Sequence, residues 1–227
     1  MASVERAQVL PAICGLLAGP VLLVGTVAGA LAQPDEFSIV NHANSDLGAD
    51  TADSPWLSNQ LGSNLPGLLL FVFAIGLWRS LERHRSARIG SVLVAVAGVG
   101  VFLTGFFRLD CRQIDPGCED SSWHAVAHNT VAGLTILALV LAPFVLARAL
   151  KLTLRWRDLW VPTLAFGIGT IVAAVAGSAV GEGLGSLLAV LVWFVWIAVL
   201  AIRMLRLAQG GGLGGPARSP VAPRTHV

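Results

Sequence analysis

Charge is scarce in this chain. Asp, Glu, Lys and Arg make up 12% of its 227 residues, against about one quarter in ordinary soluble domains. Together with 55% hydrophobic residues and a mean hydropathy of +0.75, that scarcity excludes a soluble globular protein. Summed over the whole chain, neither sign of charge is in large excess, because the formal net charge is only +2. No basic field exists to hold a phosphate backbone, so no nucleic-acid partner is expected. Alternation at strand length is also missing, which argues against a membrane barrel. So is any internal repeat of the kind that builds many transporters.

What the chain does have is six apolar blocks, at about Val9–Ala32, Leu61–Trp78, Ile89–Phe107, His124–Ala147, Leu159–Val180 and Leu184–Ile202. Each is long enough to cross about 30 Å of hydrocarbon as a helix. Helices are expected because backbone groups in lipid must be satisfied within the segment. Ala30-Leu31-Ala32 also has the small-residue form of a signal-peptide cleavage site, but the first block is longer than such an apolar region needs to be. The fold expected is all-α, a polytopic bundle of six transmembrane helices over residues 1–207. Residues 208–227, rich in Gly and Pro, are expected to be a disordered cytoplasmic tail.

Loop charges orient the bundle. Thirteen of the fifteen basic residues fall on one side of the six blocks, and only Arg108 and Arg112 on the other. Short arginine-rich loops stay cytoplasmic, so both termini are expected there. The opposite side carries ten of the thirteen acids, among them Asp46, Asp110, Asp115 and Glu182. Trp56 and Trp123 fall at the outer block ends and Trp78, Trp156 and Trp160 at the inner ends, the positions of interfacial anchors.

The candidate chemistry gathers on the acidic side. Cys111 and Cys118 share one outer loop, where an oxidising compartment favours a disulfide; a thiolate metal pair is the alternative. Cys14 falls inside the first block and reads as an apolar filler. His124 and His128, four apart at the start of the fourth block, share one helix face, a spacing suited to metal ligands. The alternative is an interfacial polar turn, with His124 beside Trp123 and His128 hydrogen-bonded to a neighbouring helix. Asp110, His42, Ser45, Asp46, Asn59, Ser63, Asn64 and Glu182 project from the same interface. Deeper in the blocks there is no ionisable residue, as a proton- or ion-coupled carrier would need near the midplane.

In order and spacing, His42-x-x-Ser45-Asp46-Leu47-Gly48, Asn64, Gly105-Phe106-Phe107-x-x-Asp110 and His124-x-x-x-His128 resemble the prokaryotic six-helix membrane family catalogued as domain of unknown function number 998, over about Leu10–Leu207. Arg108 stands where that pattern has proline, and the two-cysteine insert is not general to it. The resemblance implies a multi-pass protein of a prokaryotic plasma membrane and carries no activity across.

Two function classes stay open. One is a membrane hydrolase, similar to alkaline-ceramidase-like enzymes in its His/Asp constellation. His42, Asp110, His124 and His128 would hold zinc, Asp46 or Glu182 would act as base, and the substrate would be a membrane lipid or lipid-linked molecule. Ser45 and Asn64 would add polar contacts. The other is a non-enzymatic structural, lipid-binding or partner-binding membrane protein, which needs no metal. No protein partner is named by the residues.

Overall fold

The structure, a computed structural model, describes residues 7–34, 36–81 and 84–210, with Gly210 by its backbone alone. Six helices are long and apolar enough to cross a membrane. They are α1 (Val9–Leu31), α2 (Leu57–Ser80), α3 (Arg85–Phe106), α4 (Trp123–Leu152), α5 (Trp160–Ser178, preceded by a 3-10 segment Leu154–Leu159) and α6 (Glu182–Gly210). No strand occurs among the described residues. The last helix runs beyond residue 207, and of the expected tail, residues 211–227 lie outside the described residues.

The helix starts follow local chemistry. Ser122 caps α4 by accepting the Ala125 N–H at 3.2 Å, satisfying one of the orphan donors of the first turn. α2 opens four residues before its apolar block, as a π-helical turn over Leu57–Asn64. That stretch is polar, yet Ser58, Asn59 and Gly62 are buried. Close helix approach makes this possible: a Cβ on Gly25 of α1 would fall on the backbone of Leu61 and Gly62, and one on Gly105 of α3 would meet the Asn59 carbonyl. Small residues bring transmembrane backbones together in this way.

Most of the largest buried side chains lie in the half of the bundle nearer the basic loops. Phe73, Leu77, Leu146, Leu150, Trp196, Ile197 and Leu200 are buried there. The indoles on α6 find partners: Trp193 Nε1 donates to the Leu139 carbonyl (3.0 Å) and Trp196 Nε1 to Thr163 Oγ1 (3.1 Å). Trp156, placed at an interface by its sequence position, is instead part of this core. Trp56, Trp78 and Trp123 are exposed at helix ends, as anchors should be. Exposed aliphatic side chains such as Leu134, Leu137, Val172, Val175 and Val195 give the bundle an apolar outer surface, the face that lipid covers in a multi-pass membrane protein.

At the acidic end, three connections form an ordered cap. Asp50 N–H bonds the Leu109 carbonyl (2.9 Å), and Arg108 pairs with Asp50 (2.9 Å). Leu184 N–H bonds the Val40 carbonyl (3.0 Å), while Asn44 Nδ2 donates to Gly183 O (3.2 Å) and Ser186 Oγ (2.8 Å). The first connection thereby holds the second connection and the first turn of α6.

Candidate functional site

Beneath this cap lies a cavity of about 220 Å³. Its roof comes from Asn44 and Ser45 of the first connection. Ser58, Asn59 and Ser63 reach it from the π-turn, Thr26 from α1, and Thr104 and His128 from α3 and α4. Leu22, Val101, Leu187 and Val190 supply its apolar walls, and among the described residues no Asp, Glu, Lys or Arg lines it. One turn beyond Val190, Trp193 ties α6 to α4 through the Leu139 carbonyl.

His128 is buried, with Nδ1 2.7 Å from the Phe107 carbonyl and 3.2 Å from that of Thr104. A nitrogen facing two carbonyls must carry a proton, so Nδ1 donates and Nε2 is the ring nitrogen left over. The bonds satisfy carbonyls of the last turn of α3, which that helix cannot satisfy itself. Asn59 Nδ2 likewise donates to the Gly48 carbonyl at 3.0 Å, fixing the π-turn to the roof. Asn44 Oδ1, on a residue that lines the cavity, is buried without a hydrogen-bond partner among the described residues.

The other candidates are distributed through the cap. His42 Nδ1 accepts the Ser38 N–H (2.9 Å), so the lone pair of that nitrogen is already engaged. The His124 ring lies on Trp123, centroids 3.6 Å apart. Asp110 accepts the Ser122 N–H (2.8 Å), and hydrogen bonds from Ser122 hold its carboxyl below the ordinary range, with His124 adding to the effect. Asp46 is buried and accepts the Gln113 N–H, and Glu182 is exposed at the first turn of α6; neither lines the cavity. Asn64 donates to the Phe102 carbonyl (2.7 Å) and lines a separate recess with Trp56, Gln60 and Arg108.

Thus Ser45, Asn59, Ser63 and His128 meet in one cavity, while His42, Asp110 and His124 do not join His128 there. Among the described residues, ligand atoms of three His, Cys, Asp or Glu side chains come within 4.8 Å of one another at Cys111, Cys118 and Asp120. The two sulfurs there are bonded to each other as a disulfide, Cα atoms 5.7 Å apart, and Cys14 is a buried free thiol.

A family model described as protein of unknown function (DUF998) matches residues 16–203, from within α1 to within α6. The chain belongs to this family. No curated protein and no solved structure matches it. The motifs His42–Gly48, Asn64, Gly105–Asp110 and His124–His128 all lie inside the matched stretch. Thr26, Asn44, Ser58 and Thr104, which also line the cavity, carry no motif. An isolated hydroxyl in an apolar run is common enough to give no signal.

Proposed function

We propose that this protein binds the polar part of a neutral lipid or lipid-linked molecule in the capped cavity. In this reading the acidic end faces the outer leaflet of a prokaryotic plasma membrane, and both termini are cytoplasmic. One observation carries it: the cavity is walled by uncharged hydrogen-bonding groups above and aliphatic side chains below, with no Asp, Glu, Lys or Arg in its lining among the described residues. A phosphate or carboxylate brought there would lose its hydration with no counter-charge. Hydroxyls or amides would instead exchange water for the donors and acceptors already in place in the lining. A volume of about 220 Å³ is below the roughly 300–1,000 Å³ of sites that enclose a drug-sized ligand, so it suits a head group while the chains stay in the bilayer. The arginine asymmetry supports the orientation.

Binding is favoured over zinc-assisted hydrolysis by the donors themselves. Catalytic zinc takes three protein ligands and an open position, whereas His42, Asp110, His124 and His128 are engaged at different places. Lipids that co-purify from native membranes provide the test. Wild type should retain one neutral-headgroup species that Thr26→Leu, which fills the cavity with apolar volume, loses at similar thermal stability. Identical retained lipids in the two proteins would overturn the reading. Reporter fusions after Arg85 and after Asp115 should score on opposite sides, and same-side results would overturn the orientation.

A further inference from the structure

At the basic end, a second concavity of about 570 Å³ lies between the first turn of α3 and the last turns of α4. Arg85 and Arg148 line it from opposite helices, and Ile89, Phe144 and Val145 extend it along the apolar surface. Both arginines are exposed, and among the described residues neither makes an ion pair. Arg112 and Arg203, by contrast, are held by Asp115 and Asp158. The surrounding charge is one-sided: residues 79–88 contain Arg79, Arg83, Arg85 and Arg88 against the single acid Glu82.

We infer that this groove is a docking site for an anionic phospholipid of the leaflet at the basic end, with its phosphate between Arg85 and Arg148 and an acyl chain along Ile89, Phe144 and Val145. Charge complementarity selects the occupant. Guanidinium groups offer forked donors that match phosphate oxygens, and basic pockets between membrane helices hold anionic head groups. The position also fits, because Arg85 and Arg148 sit at helix ends while Ile89 and Val145 lie about a turn deeper in their spans. A zwitterionic lipid would bring its own cation against two arginines. This site is separate from the capped cavity and does not depend on what that cavity binds.

The test is native mass spectrometry of the full-length protein released from nanodiscs of phosphatidylcholine with increasing phosphatidylglycerol. Wild type should keep a phosphatidylglycerol adduct in preference to phosphatidylcholine by on the order of tenfold, as two near-surface arginines imply. Arg85→Gln/Arg148→Gln should lose that preference. Arg155→Gln/Arg157→Gln, which removes the same charge from the same end outside the groove, should keep it. Val145→Trp, which fills the groove without touching a charge, should also lose it, so the conclusion does not rest on one variant's folding. Equal adducts on wild type, a preference that survives both groove variants, or its loss in the Arg155/Arg157 control would overturn the proposal. So would displacement of the adduct by glycerol 3-phosphate at the lipid's concentration, since the groove would then be reading phosphate alone.

Discussion

Asp46 accepts the backbone N–H of Gln113 at 3.0 Å across two connections of the cap, from a position only 1% exposed. Burial pushes its carboxyl up, against the Gln113 hydrogen bond and nearby His42, with Asp120 and Glu182 adding to the rise. A carboxyl whose folded pKa exceeds its unfolded value favours the fold as pH falls through the folded value, and its ionised form is a standing cost above it. Asp46→Asn keeps an oxygen for Gln113 and removes that cost. Thermal unfolding should therefore show the variant as stable as wild type or a few degrees more stable at pH 7, with the difference closing toward pH 4. A variant less stable at neutral pH would mean that the ionised carboxylate is itself required.

Asp115 behaves in the opposite sense. Arg112 donates to it through Nη2 (2.9 Å) and Nε (3.2 Å), Thr51 donates through its hydroxyl, and the carboxyl is lowered to about 2. Arg112 also reaches Gln33 (3.0 Å) and Asp53 (3.5 Å). This depressed group contributes its full stabilisation above its unfolded value of 3.8 and loses it as pH falls toward about 2. Hydrogen exchange at the Arg112 amide, which donates to Asp115 Oδ2 at 2.8 Å, should accelerate across that window. Asp115→Asn should loosen the loop at neutral pH by roughly 1 kcal/mol, the scale of a partly exposed pair. Unchanged protection in the variant would remove Asp115 from this role.

The six spans are legible in the sequence because lipid demands about twenty apolar residues at a time. The start of α2 is not. Ser58-Asn59-Gln60 reads as loop, and only the approach of Gly25 and Gly105 from two other helices makes room to bury Ser58 and Asn59 in a π-turn. The histidine pair is legible as a spacing, which puts both residues on one face. It says nothing of where the rings go, and here Trp123 takes one while the α3 carbonyls take the other. Thr104 donates to the Val101 carbonyl of its own helix (2.8 Å), so its place in the cavity wall leaves no trace in the pattern.

The Cys111–Cys118 bond closes a short loop, with a sequence separation of 7. Chain entropy for a ring of that size predicts roughly 2–3 kcal/mol of stabilisation, acting on the cap. Thiol labelling in denaturant should find Cys14 alone before reduction and all three cysteines after it. Three labelled thiols without reductant would refute the bond.

Gly25 stands against the Gly62 backbone so closely that an added methyl has nowhere to go. Gly25→Ala should destabilise the protein by roughly 1–3 kcal/mol, the usual cost of overpacking. The same change at Gly133, where no described residue lies within 4 Å of the added carbon, should be neutral or slightly stabilising through helix propensity. Equal melting temperatures for the two variants would show that the α1–α2 contact is looser than the structure has it.

His128 decides between the two function classes. Its Nδ1 serves the Phe107 and Thr104 carbonyls, so His128→Leu removes their donor in a buried place and should cost roughly 1–3 kcal/mol. His128→Gln offers an amide N–H to the same carbonyls and should recover much of that loss. This ordering, with Leu the worse replacement, is the reverse of what an imidazole serving only as apolar filling would give. The free Nε2 is the position a ligand would use. If the cavity binds neutral head groups, zinc added to metal-stripped wild type should leave its melting temperature unchanged, and the Leu and Gln variants should keep their order with or without zinc. A zinc-dependent rise in wild type that follows RT ln(1 + [L]/Kd) and vanishes in His128→Gln would instead make His128 a metal ligand. The cap would then have to rearrange to bring His124 or His42 within reach, and the binding reading would give way to the hydrolase.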